Sequence, residues 1–368
     1  MIEYRSYIDT CLMVAWKIIT NRKRGETQLT TKKKFYLKKR WMILISIIVI
    51  PILLISVTNQ FTPALKALVI KQIFEAKPFA SPKNIETIKK QVVVKKDIVY
   101  DEAGLENSIL DIYYPKNSNK NLPVIMWIHG GGFISGSKEQ TQEYGMSLAY
   151  AGYVVANINY AIAPAQKYPG PIIQANQALK YLQKNIAQYG GDMNRLFIGG
   201  DSAGAQIASQ TAAVISNEKL AKTMDIQPHI DNKQIKGLLL FCGPYNMYRF
   251  DNPHASALGK IFFNTMFWSY TGEKDIKSFS KIDEISTVKQ ITPNYPPVFL
   301  TVGDADPLAP HSADLIDVLQ INNVEVESVL FEGTKSELGH EYQFDFSSSH
   351  AEKTLEKTIE FLNKHRNR

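Results

Sequence analysis

The 368-residue sequence predicts an α/β fold: a mainly parallel, eight-stranded sheet with helices on both faces, preceded by an N-terminal transmembrane helix. Three observations predict it. From Val92 onward, short apolar runs alternate with stretches of helical periodicity, as strands joined by crossover helices do. One junction carries Gly200-Asp-Ser-Ala-Gly204, a G-x-S-x-G between an apolar run and an alanine-rich one. Far upstream, Trp41 to Val57 runs 17 residues without a charge, directly behind a basic cluster. That length is close to the minimum that spans a bilayer as a helix.

The N-terminal region comes first. Residues 1–40 hold 11 Lys and Arg against 3 Asp and Glu, so a formal net charge of +7 leaves the remaining chain near neutrality. A nucleic-acid-binding domain carries its basic excess on the folded body, and that class is excluded here. Ile8, Cys11, Leu12, Ala15, Trp16 and Ile19 share one helical face, which reads either as an interfacial amphipathic helix or as a loosely structured tail. Lys32 to Arg40 precedes the apolar segment, and Trp41 suits an interfacial anchor. A cleaved signal peptide has a shorter basic region and a small-residue cleavage site, and neither stands out. The expectation is a basic cytoplasmic tail (1–40) and an uncleaved signal anchor (41–58). A linker or stalk (59–95) and an extracytoplasmic catalytic domain (96–368) follow, which places the protein in the cell membrane as a single-pass chain. Within 59–95, Pro63 to Phe79 holds a short helical pattern that reads as a stalk or as an arm packed on the body.

The two cysteines, Cys11 and Cys242, show no ligand spacing, so neither zinc nor a disulfide framework is expected. Cys242 closes the apolar run from Gly237 and reads as a small buried hydrophobe. Strands are predicted at 98–100 and 109–114 as an opening pair, then at 124–128, 153–158, 196–198, 238–241, 298–302 and 326–331. Helical patterns fall at about 139–151, 171–188, 203–216, 311–322 and 350–365. Ligands of such sheets bind beyond the carboxyl ends of the strands.

The chemistry-bearing residues sit at those ends. A serine nucleophile needs a sharp strand-to-helix turn, and glycines two residues to either side of Ser202 remove the clash with the neighbouring backbone. The start of the following helix aims N–H groups at negative charge beside Ser202. His129-Gly-Gly-Gly-Phe133 follows the 124–128 strand. It lacks the third glycine of a dinucleotide loop, since Ser135 stands there, and no phosphate-loop lysine follows, so no nucleotide cofactor is expected. Adjacent glycines there instead let N–H groups face a small oxyanion. Past the 298–302 strand, either Asp304 or Asp306 offers a carboxylate to orient an imidazole. His340 lies in the loop after the last strand. The chain order is nucleophile, acid, base, the order of the α/β-hydrolase fold.

These stretches resemble the acetyl-esterase, or hormone-sensitive-lipase-like, branch of the α/β hydrolases, with the small carboxylesterases and formamidases near it. The matching stretches are Trp127-Ile-His-Gly-Gly-Gly-Phe133, Asn159-Tyr-Ala-Ile-Ala-Pro164 with Tyr168-Pro169, and Tyr189-Gly-Gly-Asp192 with Asn194-Arg195. Gly200-Asp-Ser-Ala-Gly204, Asp306-Pro-Leu308 and Gly339-His340 complete the set, which covers about residues 95–368. The resemblance implies Ser202 as nucleophile, Asp306 rather than Asp304 as acid, His340 as base, and backbone N–H groups of Gly131, Gly132 and Ala203 as oxyanion donors. No cofactor and no metal are expected. Two positions depart from the pattern: Tyr160-Ala161 where the family often has Tyr-Arg, and Ala205 where a further glycine is common.

A long insertion at 244–296 is rich in aromatic residues and is expected to form a cap lining an apolar acyl pocket, with a self-packed helical excursion as the alternative. The expected function is hydrolysis of carboxylic esters of short to medium acyl chains, the ester being a small molecule. Amidase or formamidase action through the same triad is the nearest rival, and a catalytically silent surface protein on the same fold is the other.

Overall fold

Eight strands form one sheet in the order β1-β2-β4-β3-β5-β6-β7-β8 in a computed structural model. The structure describes Met42 and residues 62–75, 79–102, 104–117, 121–250, 256–331 and 336–367. The strands are β1 (Val92–Val99), β2 (Ile109–Pro115), β3 (Leu122–Ile128), β4 (Val154–Ile158), β5 (Gly191–Asp201), β6 (Ile235–Phe241), β7 (Val298–Val302) and β8 (Val326–Leu330). β1 and β2 form an antiparallel pair and β2 runs antiparallel to β4; every later pairing is parallel. This is the predicted eight-stranded α/β-hydrolase sheet.

The helices are α1 (Ala64–Glu75), α2 (Ile85–Gln91), α3 (Gln142–Tyr150), α4 (Gly170–Asn185), α5 (Ala203–Ser216), α6 (Glu218–Met224), α7 (Ala257–Thr271), α8 (Ile282–Ile285), α9 (Ala309–Ile321) and α10 (Ser349–His365). Parallel strands covered on both faces must be apolar throughout, and β3, β4 and β7 are buried almost end to end. Alternate residues of β3 feed two cores. Val124, Met126 and Ile128 join a cluster with residues of α4, α5 and α9, while Ile125 and Trp127 join Phe197, Leu239 and Phe299 against α3 and α10. Each such fully buried side chain contributes about 1.5–3 kcal/mol of transfer free energy.

β5 starts five residues before the predicted Leu196. Its polar lead-in pairs with β3 (Leu122 to Gly191, Pro123 to Asp192), and the register shifts before Val124 meets Leu196. Ladder pairing, not side-chain polarity, sets that boundary. Residues 62–368 form one compact unit. The stretch from Phe79 is a packing arm: Phe79 packs tilted against Phe344, the Ala80 carbonyl accepts from Phe346 N–H, and α2 lies on α3.

The expected tail (1–40) and transmembrane segment (41–58) lie, Met42 apart, outside the described residues. Among the described residues no helix is long and apolar enough to cross a membrane.

Candidate active site

The turn after β5 is the sharp strand-to-helix turn that its sequence predicts, and it is strained. Ser202 has φ 51° and ψ −121°, outside the regions a serine ordinarily occupies, and α5 begins at the next residue. The flanking glycines are obligatory. A Cβ on Gly204 would lie 2.0 Å from the Ile128 carbonyl oxygen, and one on Gly200 would lie 2.6 Å from the same atom and from the Gly204 backbone. The elbow is thus wedged against the end of β3, and Ser202 is lifted at the carboxyl end of the sheet.

Three loops bring the polar groups together. His340 Nε2 lies 2.9 Å from Ser202 Oγ, and its Nδ1 lies 2.8 Å from Asp306 Oδ2. The other oxygen of Asp306 accepts the Leu308 N–H at 2.8 Å, which fixes the carboxylate plane. Asp304, the alternative acid, has a different occupation: its two oxygens accept the N–H groups of Ser336 and Leu338 at 2.9 and 2.7 Å. Asp304 therefore pins the loop that delivers His340, and those N–H bonds hold its carboxyl below the usual range. An imidazole held between carboxylate and hydroxyl can take the hydroxyl proton and later return it.

The glycine-rich loop lies alongside. Gly131 and Gly132 have φ +105° and +60°, conformations that favour glycine. The Gly131 carbonyl is turned inward to accept from Ile134 N–H, Ser135 N–H and Ser135 Oγ–H. Among the described residues, no protein acceptor is hydrogen-bonded to the N–H groups of Gly131, Gly132 or Ala203. His129 is structural. It is buried, stacks on Tyr160 with centroids 4.4 Å apart, and donates from Nδ1 to the Gly130 carbonyl; burial pushes it down to about 4, so it stays neutral. Tyr160 O–H donates to the His129 carbonyl, which makes the tyrosine of Tyr160-Ala161 a loop brace.

Sequence reading missed four contributors around the relay and, above the glycine loop, Met266 of α7. Asp201, inside the G-x-S-x-G, accepts from Trp127 Nε1–H at 2.9 Å and from Gly130 N–H at 2.8 Å, joining elbow to glycine loop. Glu341, next to His340, sits against the same carboxyl. Burial first, and the Glu341 carboxyl second, push Asp201 well above the usual carboxylate range. The Glu341 carboxylate is also 3.8 Å from His340 Nε2. Burial alone would lower His340, but the Cys242 sulfur, Asp306 and Glu341 outweigh it and hold the imidazole above its ordinary value. Cys242 is buried as expected, yet it lies behind the relay: its sulfur and the ligating atoms of Asp306 and His340 are within 4.8 Å of one another. Lys138 is buried and ion-paired with Asp97 (2.9 Å), Asp111 (2.9 Å) and Glu139 (2.6 Å), tying the end of the glycine loop to the β1–β2 pair. Adjacency in sequence to Ser202 and His340 was the available signal for Asp201 and Glu341; Cys242, Lys138 and Met266 had none.

The insertion 244–296 closes over the glycine loop. A Cβ on Gly132 would lie 3.0 Å from Met266 Sδ and 3.7 Å from Phe262, both on α7, and Tyr270 stacks on Phe133 with centroids 3.9 Å apart. Buried side chains of α5 hold this excursion: Gln206 and Gln210 donate to the carbonyls of Ile285 and Glu284, each at 3.0 Å.

Known proteins resemble this chain. The isoprenylcysteine alpha-carbonyl methylesterase ICME of Arabidopsis thaliana is 29% identical over 250 residues, covering 65% of this chain and 56% of that relative. Carboxylesterase NlhH of Mycobacterium tuberculosis (strain CDC 1551 / Oshkosh) is 26% identical over 238 residues, covering 64% of this chain and 72% of its own. The chain thus spans about half the length of the methylesterase it matches. Among solved structures, esterase B from Lactobacillus Rhamnosis (HN001) shares the fold with a TM-score of 0.67 at 22% identity, over 84% of this chain and 95% of that one. The sequence model of the BD-FAE family matches residues 110–317, more than half of the chain and including Ser202 and Asp306. The chain belongs to the BD-FAE family.

Proposed function

We propose that this protein is a serine carboxylic ester hydrolase, carried by one observation above the others: His340 bridges Asp306 and Ser202 at 2.8 and 2.9 Å. In this reading His340 takes the Ser202 proton as Oγ attacks the ester carbonyl. The oxyanion meets the N–H groups of Gly131, Gly132 and Ala203, each worth roughly 3 kcal/mol where such a donor is lost. The tetrahedral intermediate collapses as His340 protonates the departing alcohol, leaving an acyl-Ser202. Water, deprotonated by the same imidazole, then releases the acid. Asp306 holds the ring in the tautomer whose Nε2 faces Ser202. The relatives, named as a methylesterase and a carboxylesterase, support ester over amide substrates.

The strained Ser202 backbone supports the same assignment, since such conformations persist where surrounding packing enforces them for function. We further propose that residues 41–58 anchor the chain in the cell membrane, N-terminus inside and catalytic body outside. The uncharged 17-residue run behind nine basic residues in the preceding twenty supports this.

The test is hydrolysis of short and medium 4-nitrophenyl esters and of matched 4-nitroanilides, with fluorophosphonate labelling, by the full chain and its Ser202→Ala variant. Ester hydrolysis and labelling should vanish together in the variant, a loss of about 10⁴-fold or more in kcat. Faster anilide than ester cleavage would move the assignment to an amidase. A folded wild type that neither reacts nor labels would end it.

A further inference from the structure

α1 and α7 pack against each other and both leave apolar side chains in solvent. On α1, Leu65, Leu68 and Val69 are 39%, 55% and 61% exposed, while Ala67 is buried and Ile70 packs on the core. On α7, Leu258 and Ile261 are 80% and 52% exposed, one helical turn apart. A run of large aliphatic residues in water on two adjoining helices asks for an apolar partner. The same helices carry Lys66, Lys71 and Lys260 against a single acidic residue, Glu75 at the end of α1. Aliphatic side chains interspersed with lysines match a lipid surface with anionic headgroups.

The chain says which partner is at hand. The apolar run that begins at Trp41 ends at Val57, and α1 opens at Ala64. Seven residues reach about 25 Å at most. If residues 41–57 enter a bilayer, α1 is tethered within that distance of its surface. α7 meanwhile reaches the chemistry, because Phe262 and Met266 lie over Gly132.

We infer that Leu65, Leu68 and Val69 on α1 and Leu258 and Ile261 on α7 seat on the lipid surface of the membrane holding residues 41–57, and that Ser202 takes its ester from that membrane. The substrate class is then an ester dissolved in the lipid phase, entering past α7. The inference rests on both the anchor and the esterase assignments above.

The experiment uses the full chain in vesicles of phosphatidylcholine and phosphatidylglycerol. Leu258→Cys, in a Cys11→Ser background, is labelled with bimane, and quenching by nitroxide-bearing lipid is read; Cys242 is buried and does not compete. Two rates are measured beside it, for water-soluble 4-nitrophenyl acetate and for bilayer-dissolved 4-methylumbelliferyl oleate. Lipid quenching is expected. In Leu68→Glu/Val69→Glu/Leu258→Glu/Ile261→Glu, all four positions exposed, oleate hydrolysis should fall about tenfold or more while acetate hydrolysis stays within about twofold.

Absence of quenching overturns the docking surface, as does an equal loss on both esters, an unchanged oleate rate, or a crest covered by a second copy in concentration-dependent cross-linking. Release of the chain by carbonate extraction overturns the anchor and the inference with it. Quenching with neither acetate hydrolysis nor fluorophosphonate labelling would instead sink the esterase assignment and the substrate class, leaving the docking surface standing.

Discussion

The elbow at Gly200–Gly204 and the described part of the insertion between β6 and β7 both border the candidate site, but they are held by different physics. The elbow is fixed by backbone volume: no side chain fits at Gly204 because the Ile128 carbonyl is already there. The insertion is fixed by side chains that reach it from elsewhere, through Gln206 and Gln210 on α5, the Tyr270–Phe133 stack, and the ion pair of Arg249 with Asp314. A backbone constraint tolerates no substitution, whereas a side-chain constraint yields gradually. Ser202 is thereby held rigidly while the surface above it is free to be tuned.

The strongest break in this comparison is Gly204→Val. It should leave no stable native state, a cost above about 4 kcal/mol by chemical denaturation, because backbone atoms must move. A Gly204→Val protein with ordinary stability would show that the elbow is not wedged. Next comes the pair of aspartates. Asp306→Asn should lower kcat by about 10⁴-fold with little change in stability. Asp304→Asn, which only weakens the pin on the His340 loop, should cost about 10-fold to 100-fold. Equal losses in the two variants would contradict the division of roles.

On the cap side, Gln210→Leu removes the donor to the Glu284 carbonyl and should destabilise the protein by about 1–3 kcal/mol. Its kinetic effect should fall on KM more than on kcat, and a dominant fall in kcat would place the cap inside the catalytic relay.

The smallest effect is in the pH profile. His340 must be neutral to accept a proton, and its pKa is held above the ordinary imidazole value of 6.5. Activity should therefore be low on the acid side and rise through a kcat/KM limb lying above pH 6.5. Glu341→Gln takes away one carboxylate beside His340, so the limb should move to lower pH. A limb that stays put would detach Glu341 from the relay.

Much of this site was legible in the chain. Ser202, His340 and the glycine loop were readable because each sits where an apolar run ends, and their chemistry needs small or polar neighbours at fixed local spacing. The arm from Phe79 was less so, since a lysine-rich segment reads equally as stalk or packing element until Phe344 and Phe346 are in place. Asp201 and Glu341 stood beside named residues yet carried no signal of facing each other, being 140 positions apart in a chain whose topology alone unites the loops after β5 and β8.

The sequence by itself determined the α/β alternation, the elbow and the order of the relay residues, because these follow from local periodicity and from the volume of a missing side chain. Only the tertiary structure set Asp306 against His340 and Asp304 against the loop N–H groups, gave Cys242 and Lys138 their neighbours, and set α7 over Gly132. Those outcomes depend on which loops the strand order brings together, and hydrogen-bond partners 30 to 140 residues distant leave no periodic trace in the chain.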